Sequence, residues 1–247
     1  MALLLLAGGC SGDGGDGPDV TEPPKPPLNY VAVGASETVG TGADKPSTEA
    51  WPRVLADTLG EGGRQVTFNA FAFGGATVQE ALASSVPKAA AAAPNLVTVW
   101  LNVNDIIREF RQFGGPPYEQ QLGELVRRLR RGGATTVLLA NTPAVEKLPA
   151  YVECLTGGSR CLLPPALRLL VPQPDVIAAT VDRYNREIAA VAQREGAVLV
   201  DLHAASLKAR SEGRDAALVS ADGFHPSTAG HAAVAATFAE AAKRACV

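Results

Sequence analysis

Four short blocks of this 247-residue chain carry side chains suited to acyl transfer. They are Gly34-Ala35-Ser36-Glu37, Phe73-Gly74-Gly75-Ala76-Thr77, Asn102-Val103-Asn104-Asp105 and Asp222-Gly223-Phe224-His225-Pro226. A serine hydroxyl is a poor nucleophile until a base takes its proton, and a neutral imidazole suits that task. Ser36 is therefore the candidate nucleophile and His225 the candidate base. Asp222 lies three residues before His225, a spacing that can bring both side chains into one pocket, with the carboxylate fixing the imidazole tautomer. Attack on an ester creates an oxyanion that needs donors already in place. The backbone N–H groups of Ser36 and Gly75 and the side-chain amide of Asn104 could supply three. Losing one such donor typically costs about a hundred- to a thousand-fold in rate. Taken singly, each block reads as an ordinary turn or helix cap. Their conjunction carries the reading.

Positioning those blocks requires strands that end where they begin. Apolar, β-branched runs at 29–33, 66–71, 96–101, 135–140 and 197–200 lack a clean alternation, as parallel strands covered on both faces do. Between them, 51–59, 78–84, 118–131 and 176–194 carry apolar residues at helical spacing, and an alanine-rich helix is expected over 228–243. This alternation predicts one α/β domain, a parallel sheet with helices on both faces. In such a sheet ligands bind beyond the carboxyl ends of the strands, where the first three blocks stand. Residues 145–175 break the rhythm with five prolines and two cysteines. Such an insertion reads equally as a functional cap or as a passive surface excursion. Glu37, Trp51 and Asn102 are further candidates to shape the cleft, whereas His203 and His231 read as structural.

Composition narrows the classes. Hydrophobic residues make up 47% and charged residues 19%, which fits a folded domain, and a net charge of -3 without a basic stripe argues against nucleic acid as partner. No apolar run approaches the roughly 20 residues of a membrane-spanning helix. Three histidines and no cluster of cysteine ligands suggest no metal site, and no Walker A or dinucleotide loop implies a cofactor.

In order and context the four blocks resemble those of the SGNH hydrolases, also called the GDSL lipase/esterase family. The resemblance runs from about Tyr30 to Ala242, and its most specific part is Asp222, His225 and Pro226. Ala35 stands where the family name has aspartate, and Asn102 where glycine is usual. The resemblance implies a three-layer α/β/α sandwich around a flavodoxin-like five-stranded parallel sheet. It also implies metal-independent, cofactor-free hydrolysis of a small-molecule, glycan or lipid ester through an acyl-enzyme. The nucleophile elbow of α/β-hydrolases is a different device, and Gly34-Ala35-Ser36-Glu37-Thr38 lacks its second glycine. Two other readings use the same residues: an acyltransferase with the same triad, and a non-catalytic envelope protein binding carbohydrate or lipid.

The N-terminus reads separately from the domain at 29–247. Ala2 to Gly9 is apolar and ends at Cys10, which resembles the end of a bacterial lipoprotein signal. That implies lipid on Cys10 and an extracytoplasmic, membrane-anchored protein, with 11–28, rich in Gly, Asp and Pro, as its tether. In an oxidising compartment Cys154 and Cys161 could close a disulfide around a turn-rich loop, with Cys246 left over.

Overall fold

The computed structural model describes residues 25–111, 117–161 and 163–247. The N-terminal segment with Cys10 and most of the tether lies outside these residues. Five strands form the sheet: β1 (Leu28–Gly34), β2 (Val66–Ala72), β3 (Leu96–Trp100), β4 (Thr136–Ala140) and β5 (Val198–Val200). Their order is β2-β1-β3-β4-β5 and every pairing is parallel, the flavodoxin-like arrangement. The first strand begins one residue earlier than the sequence indicates, because Leu28 pairs with Val66.

Helices cover both faces: α1 (Trp51–Leu59), α2 (Val78–Ala91), α3 (Val103–Arg111), α4 (Tyr118–Arg130), α5 (Pro149–Thr156), α6 (Pro174–Glu195), α7 (Leu202–Ser211) and α8 (Thr228–Arg244). Strand β3 is central and all five of its residues are buried, which is why its sequence is apolar except for Thr98, whose hydroxyl meets that of Tyr30 at 3.0 Å. On one face Val31, Val33, Val97 and Val99 pack against α2, α4 and α6. On the other, Tyr30, Ala32, Leu96 and Trp100 meet α1 and α8, where Trp51 stacks on Phe238 at 4.4 Å between ring centroids. Trp51 is thus a core residue rather than part of the cleft. Its size and aromaticity fit either role, and the apolar stripe of α8 opposite decides between them.

Local signals explain most boundaries. Thr77 and Glu80 form a capping box that starts α2, and Ser227 caps α8 by accepting from the Gly230 N–H. The α2 helix outruns its expected end at Ser84 and continues through Pro87. An interior proline costs about 3 kcal/mol, and burial of Val86 and Ala89 on the core side helps to offset it. The insertion at 145–175 is less irregular than its composition suggests, since it holds α5 and a short turn of helix at Pro165–Arg168. Cys154 and Cys161 are joined in a disulfide, and no free thiol stands among the described residues. Cys246 is therefore not the spare thiol that its isolation in the sequence suggests. No helix among the described residues is long and apolar enough to cross a membrane.

One buried carboxyl ties the loops at the sheet's carboxyl edge together. Asp105, in the first turn of α3, accepts the Val78 N–H at the start of α2 at 3.1 Å. Burial pushes its pKa up to about 7, against the pull of the Val78 and Asp105 N–H groups and the Arg108 charge. In the unfolded chain an aspartate ionises near 3.9. Between those values the folded state holds the proton that the unfolded state releases, so this group's contribution makes stability fall as pH rises from about 4 to 7. Asp105→Asn keeps an acceptor for Val78 and removes the titration. The drop in Tm between pH 4.5 and 7.5 is expected to be smaller in that variant than in the parent, and an unchanged pH slope would refute the assignment.

Candidate functional site

Ser36 follows β1 by two residues and opens a short helical turn, Ser36–Val39, so its hydroxyl stands at the carboxyl edge of the sheet. The fourth block reaches the same edge from the other end of the chain. It is pinned as a loop by the antiparallel bridge of Val219 to Pro226 and by the bond from Ser220 N–H to the His225 carbonyl at 2.9 Å. The structure brings Ser36, His225 and Asp222 into one line. Ser36 Oγ lies 3.0 Å from His225 Nε2, and His225 Nδ1 lies 2.7 Å from Asp222 Oδ2.

The protonation pattern follows from who can donate. Burial works against the charged form of Asp222. The His225 ring, the Phe224 N–H, the Ser220 hydroxyl and the His225 N–H outweigh it, and hold the carboxyl well below the usual range. Its Oδ1 accepts from Ser220 Oγ at 2.7 Å and from the Phe224 and His225 N–H groups at 2.8 and 2.9 Å. An ionised carboxylate only accepts, so Nδ1 of a neutral imidazole carries the proton and Nε2 is left to accept from Ser36. Phe224 meets the imidazole edge to face at 4.9 Å and limits its rotation.

The second and third blocks are joined next to this line. Asn104 Nδ2 donates to the Ala76 carbonyl at 3.1 Å, which links the asparagine to the residue after Gly75. Gly75 has φ of 77° in the turn before α2, with open space where a side chain would point. Backbone conformation, not crowding, therefore favours glycine there. The amide of Asn104 keeps a second N–H for another acceptor.

Glu37 brings a second carboxyl group to the site. It is buried, at 8% exposure, directly after Ser36. Burial raises its pKa, opposed by its own N–H, the charge His225 carries when protonated and the Ser36 hydroxyl. Its Oε2 is 3.5 Å from Ser36 Oγ, so the 3.0 Å contact to His225 is the stronger claim on that hydroxyl. Glu37 also borders a crevice with Asn102, whose Oδ1 is buried without a partner, and Asn104. Asn102 and Glu37 thus sit where the sequence places them, and Trp51 does not.

A cavity of about 260 Å3 opens beside His225 and Glu37. Its walls are mainly apolar, drawn from Val103, Leu148, Leu202, Leu218, Phe224 and Val234. Two further contributors carry no signal in the sequence: Ser220, which supports Asp222, and α7, whose Ala205 and Ala209 line the cavity. His203 Nδ1 donates to the Thr142 carbonyl at 3.1 Å, and His231 is buried between the Trp51 N–H and the Thr41 carbonyl, so both are structural. Among the described residues no group of three or more His, Cys, Asp or Glu is placed to share a metal ion.

Solved structures of low sequence identity share this fold. A protein of Parabacteroides merdae assigned as a GDSL-like lipase superposes with a TM-score of 0.68 at 17% identity, over 90% of this chain and 98% of its own. TesA gives 0.63 at 21% identity, over 87% and 98%. An acetylxylan esterase from Geobacillus stearothermophilus gives 0.62 at 21%, over 87% and 93%. At such identities the likeness is one of fold. No curated protein sequence gives a significant match. The sequence pattern of the family itself matches residues 32–233, the greater part of the chain. The chain belongs to the GDSL-like lipase/acylhydrolase family.

Proposed function

We propose that the protein hydrolyses a carboxylic ester through an acyl-enzyme on Ser36, with His225 as general base and acid and Asp222 as the group that orients it. The observation that carries this reading is the unbroken line from Ser36 Oγ through the imidazole to a carboxylate, at 3.0 and 2.7 Å. Membership of the acylhydrolase family and the acetylxylan esterase among its fold neighbours support the hydrolase class.

The steps follow from the geometry. Nε2 takes the hydroxyl proton as Ser36 Oγ attacks the ester carbonyl. The imidazolium that forms stays paired with the ionised Asp222, whose hydrogen bonds hold it in place. The oxyanion is received by the N–H groups of Ser36 and Gly75 and the Asn104 amide, donors fixed before reaction and so free of reorganisation cost. His225 then protonates the leaving alkoxide, and water repeats the sequence to release the acid.

The cavity favours an ester with an apolar arm. Taking roughly 30 Å3 for each water-sized unit, its volume suits about eight methylene-sized groups. Each buried methylene contributes about 0.8 kcal/mol, or a few-fold in kcat/KM. Lipid on Cys10, tethering the domain outside the cytoplasm, is the remaining part of the proposal, and it requires that the Cys10 sulfur take part in no disulfide.

Three outcomes check it. Ser36→Ala is expected to lower hydrolysis of p-nitrophenyl esters by at least roughly a thousand-fold, and Asp222→Asn by a similar factor; serine-independent turnover would end the proposal. In homologous acyl (p-nitrophenyl) and alkyl (acetate) series, kcat/KM should climb with chain length to about eight carbons in one of them. Ala205→Phe, which fills the cavity from α7, should cancel that climb while sparing p-nitrophenyl acetate; flat profiles in both series contradict the apolar arm. In bacterial cells expressing the full chain, Cys10→Ser should move the protein from the membrane to the soluble fraction, and identical fractionation would refute the anchor.

A further inference from the structure

The insertion does more than cover surface, because it grips the loop that carries Asp222 and His225. Two hydrogen bonds join them. The Ala150 N–H, at the start of α5, donates to the Gly223 carbonyl at 3.0 Å. Arg160 Nε donates to the Ala221 carbonyl at 3.2 Å. These carbonyls flank Asp222 on either side. Packing at this joint is tight: a Cβ on Gly223, which has φ of 74°, would lie 2.7 Å from Arg160 Cδ and 2.8 Å from the Ala150 nitrogen. Only glycine lets the two backbones approach so closely.

Arg160 is itself held in position. Its guanidinium is paired with Glu153, and the Arg160 backbone N–H donates to Glu153 Oε2 at 2.7 Å. The Gly158 N–H closes on the Glu153 carbonyl at 2.8 Å. The Cys154–Cys161 disulfide links the residue after Glu153 to the residue after Arg160, and so fixes the separation of this pair. A free arginine side chain loses up to about 2 kcal/mol of rotamer entropy when immobilised. Here the ion pair and the covalent link have already restricted it before it meets the Ala221 carbonyl.

We propose that the disulfide-closed loop is a clamp on the catalytic loop, and that Arg160 is a positioning residue which acts through the Ala221 backbone to hold Asp222 and His225 in register with Ser36. This rests on the serine reading above and adds to it a dependence on a residue that touches no reacting atom. Displacing a catalytic group by about 1 Å can cost as much as a hundred-fold in rate, and losing one of two backbone tethers should permit a fraction of that displacement.

The test compares Arg160→Ala, Arg160→Lys and the Cys154→Ser/Cys161→Ser double variant with the parent. It uses steady-state hydrolysis of p-nitrophenyl acetate, the rate of Ser36 labelling by a fluorophosphonate, and Tm. Arg160→Ala is expected to lower kcat and the labelling rate together by about tenfold, with KM changed less than twofold. Arg160→Lys, which keeps a cation and a donor, should recover part of the loss. Combining Arg160→Ala with the double variant should be no worse than the double variant alone, because both break one device. Parent-like kcat and labelling in a folded Arg160→Ala protein overturn the clamp while leaving the nucleophile intact. So does a loss of kcat that Arg160→Lys does not recover, or that adds in full to the loss from the cysteines. A parent protein that fails to label at Ser36 overturns the serine reading and the clamp with it.

Discussion

A hydrogen bond between residues 189 positions apart, Ser36 Oγ to His225 Nε2, sets the terms for the rest of the structure. To bring those atoms within 3.0 Å, the chain must start and finish its domain at the same edge of one sheet. A parallel sheet does this because every strand delivers its following loop to the same side. Strand β1 beside the centre brings Ser36 there, β3 brings Asn104, and α8 closes the chain behind His225. The buried valines and leucines of both faces stabilise the sheet, and the sheet's rigidity makes a loop contact of this accuracy possible.

Around that contact the charges are arranged in a consistent direction. Asp222 is kept ionised by three donors besides the imidazole, on a loop that is itself tied by a strand bridge. Glu37, only one residue from the nucleophile, is driven towards its neutral form by burial. Two carboxyl groups near one histidine therefore have separate characters, set by donors in one case and by desolvation in the other. The carboxylate with donors lies against the His225 imidazole at 2.7 Å. The buried acid touches both Ser36 and the lining of the apolar cavity.

Much of this was readable in the residues because it depends on local pattern. The valine-rich runs state their burial on both faces, and the blocks beyond them contain residue types that are costly to explain as packing. Ends of helices were less legible. The apolar spacing indicates a helix only from 78 to 84, yet Val86 and Ala89 gain enough by burial to carry α2 onward. Leu202 to Ser211 has no clear apolar stripe, and what starts α7 is the Asp201 side chain accepting from the Ala204 N–H. Trp51 could not be assigned to cleft or core without knowing that Phe238 lies opposite. The grip of Arg160 on the catalytic loop depends on a contact across 61 residues, which no periodicity encodes.

The cavity wall has a further consequence for how this protein can change over generations. Ala205, Ala209, Ala216 and Ala233 are small residues on its lining, and they come from α7, α8 and the turn at Asp215–Leu218. None of the four side chains has a hydrogen-bonding group, so none supports the serine, the imidazole or the carboxylate. A mutation that enlarges one of them alters the space available to a ligand and leaves the reacting atoms untouched. Descendants of this sequence could thus diverge in what the cavity accepts by ordinary drift at alanines, through intermediates in which the line from Ser36 to Asp222 stays intact.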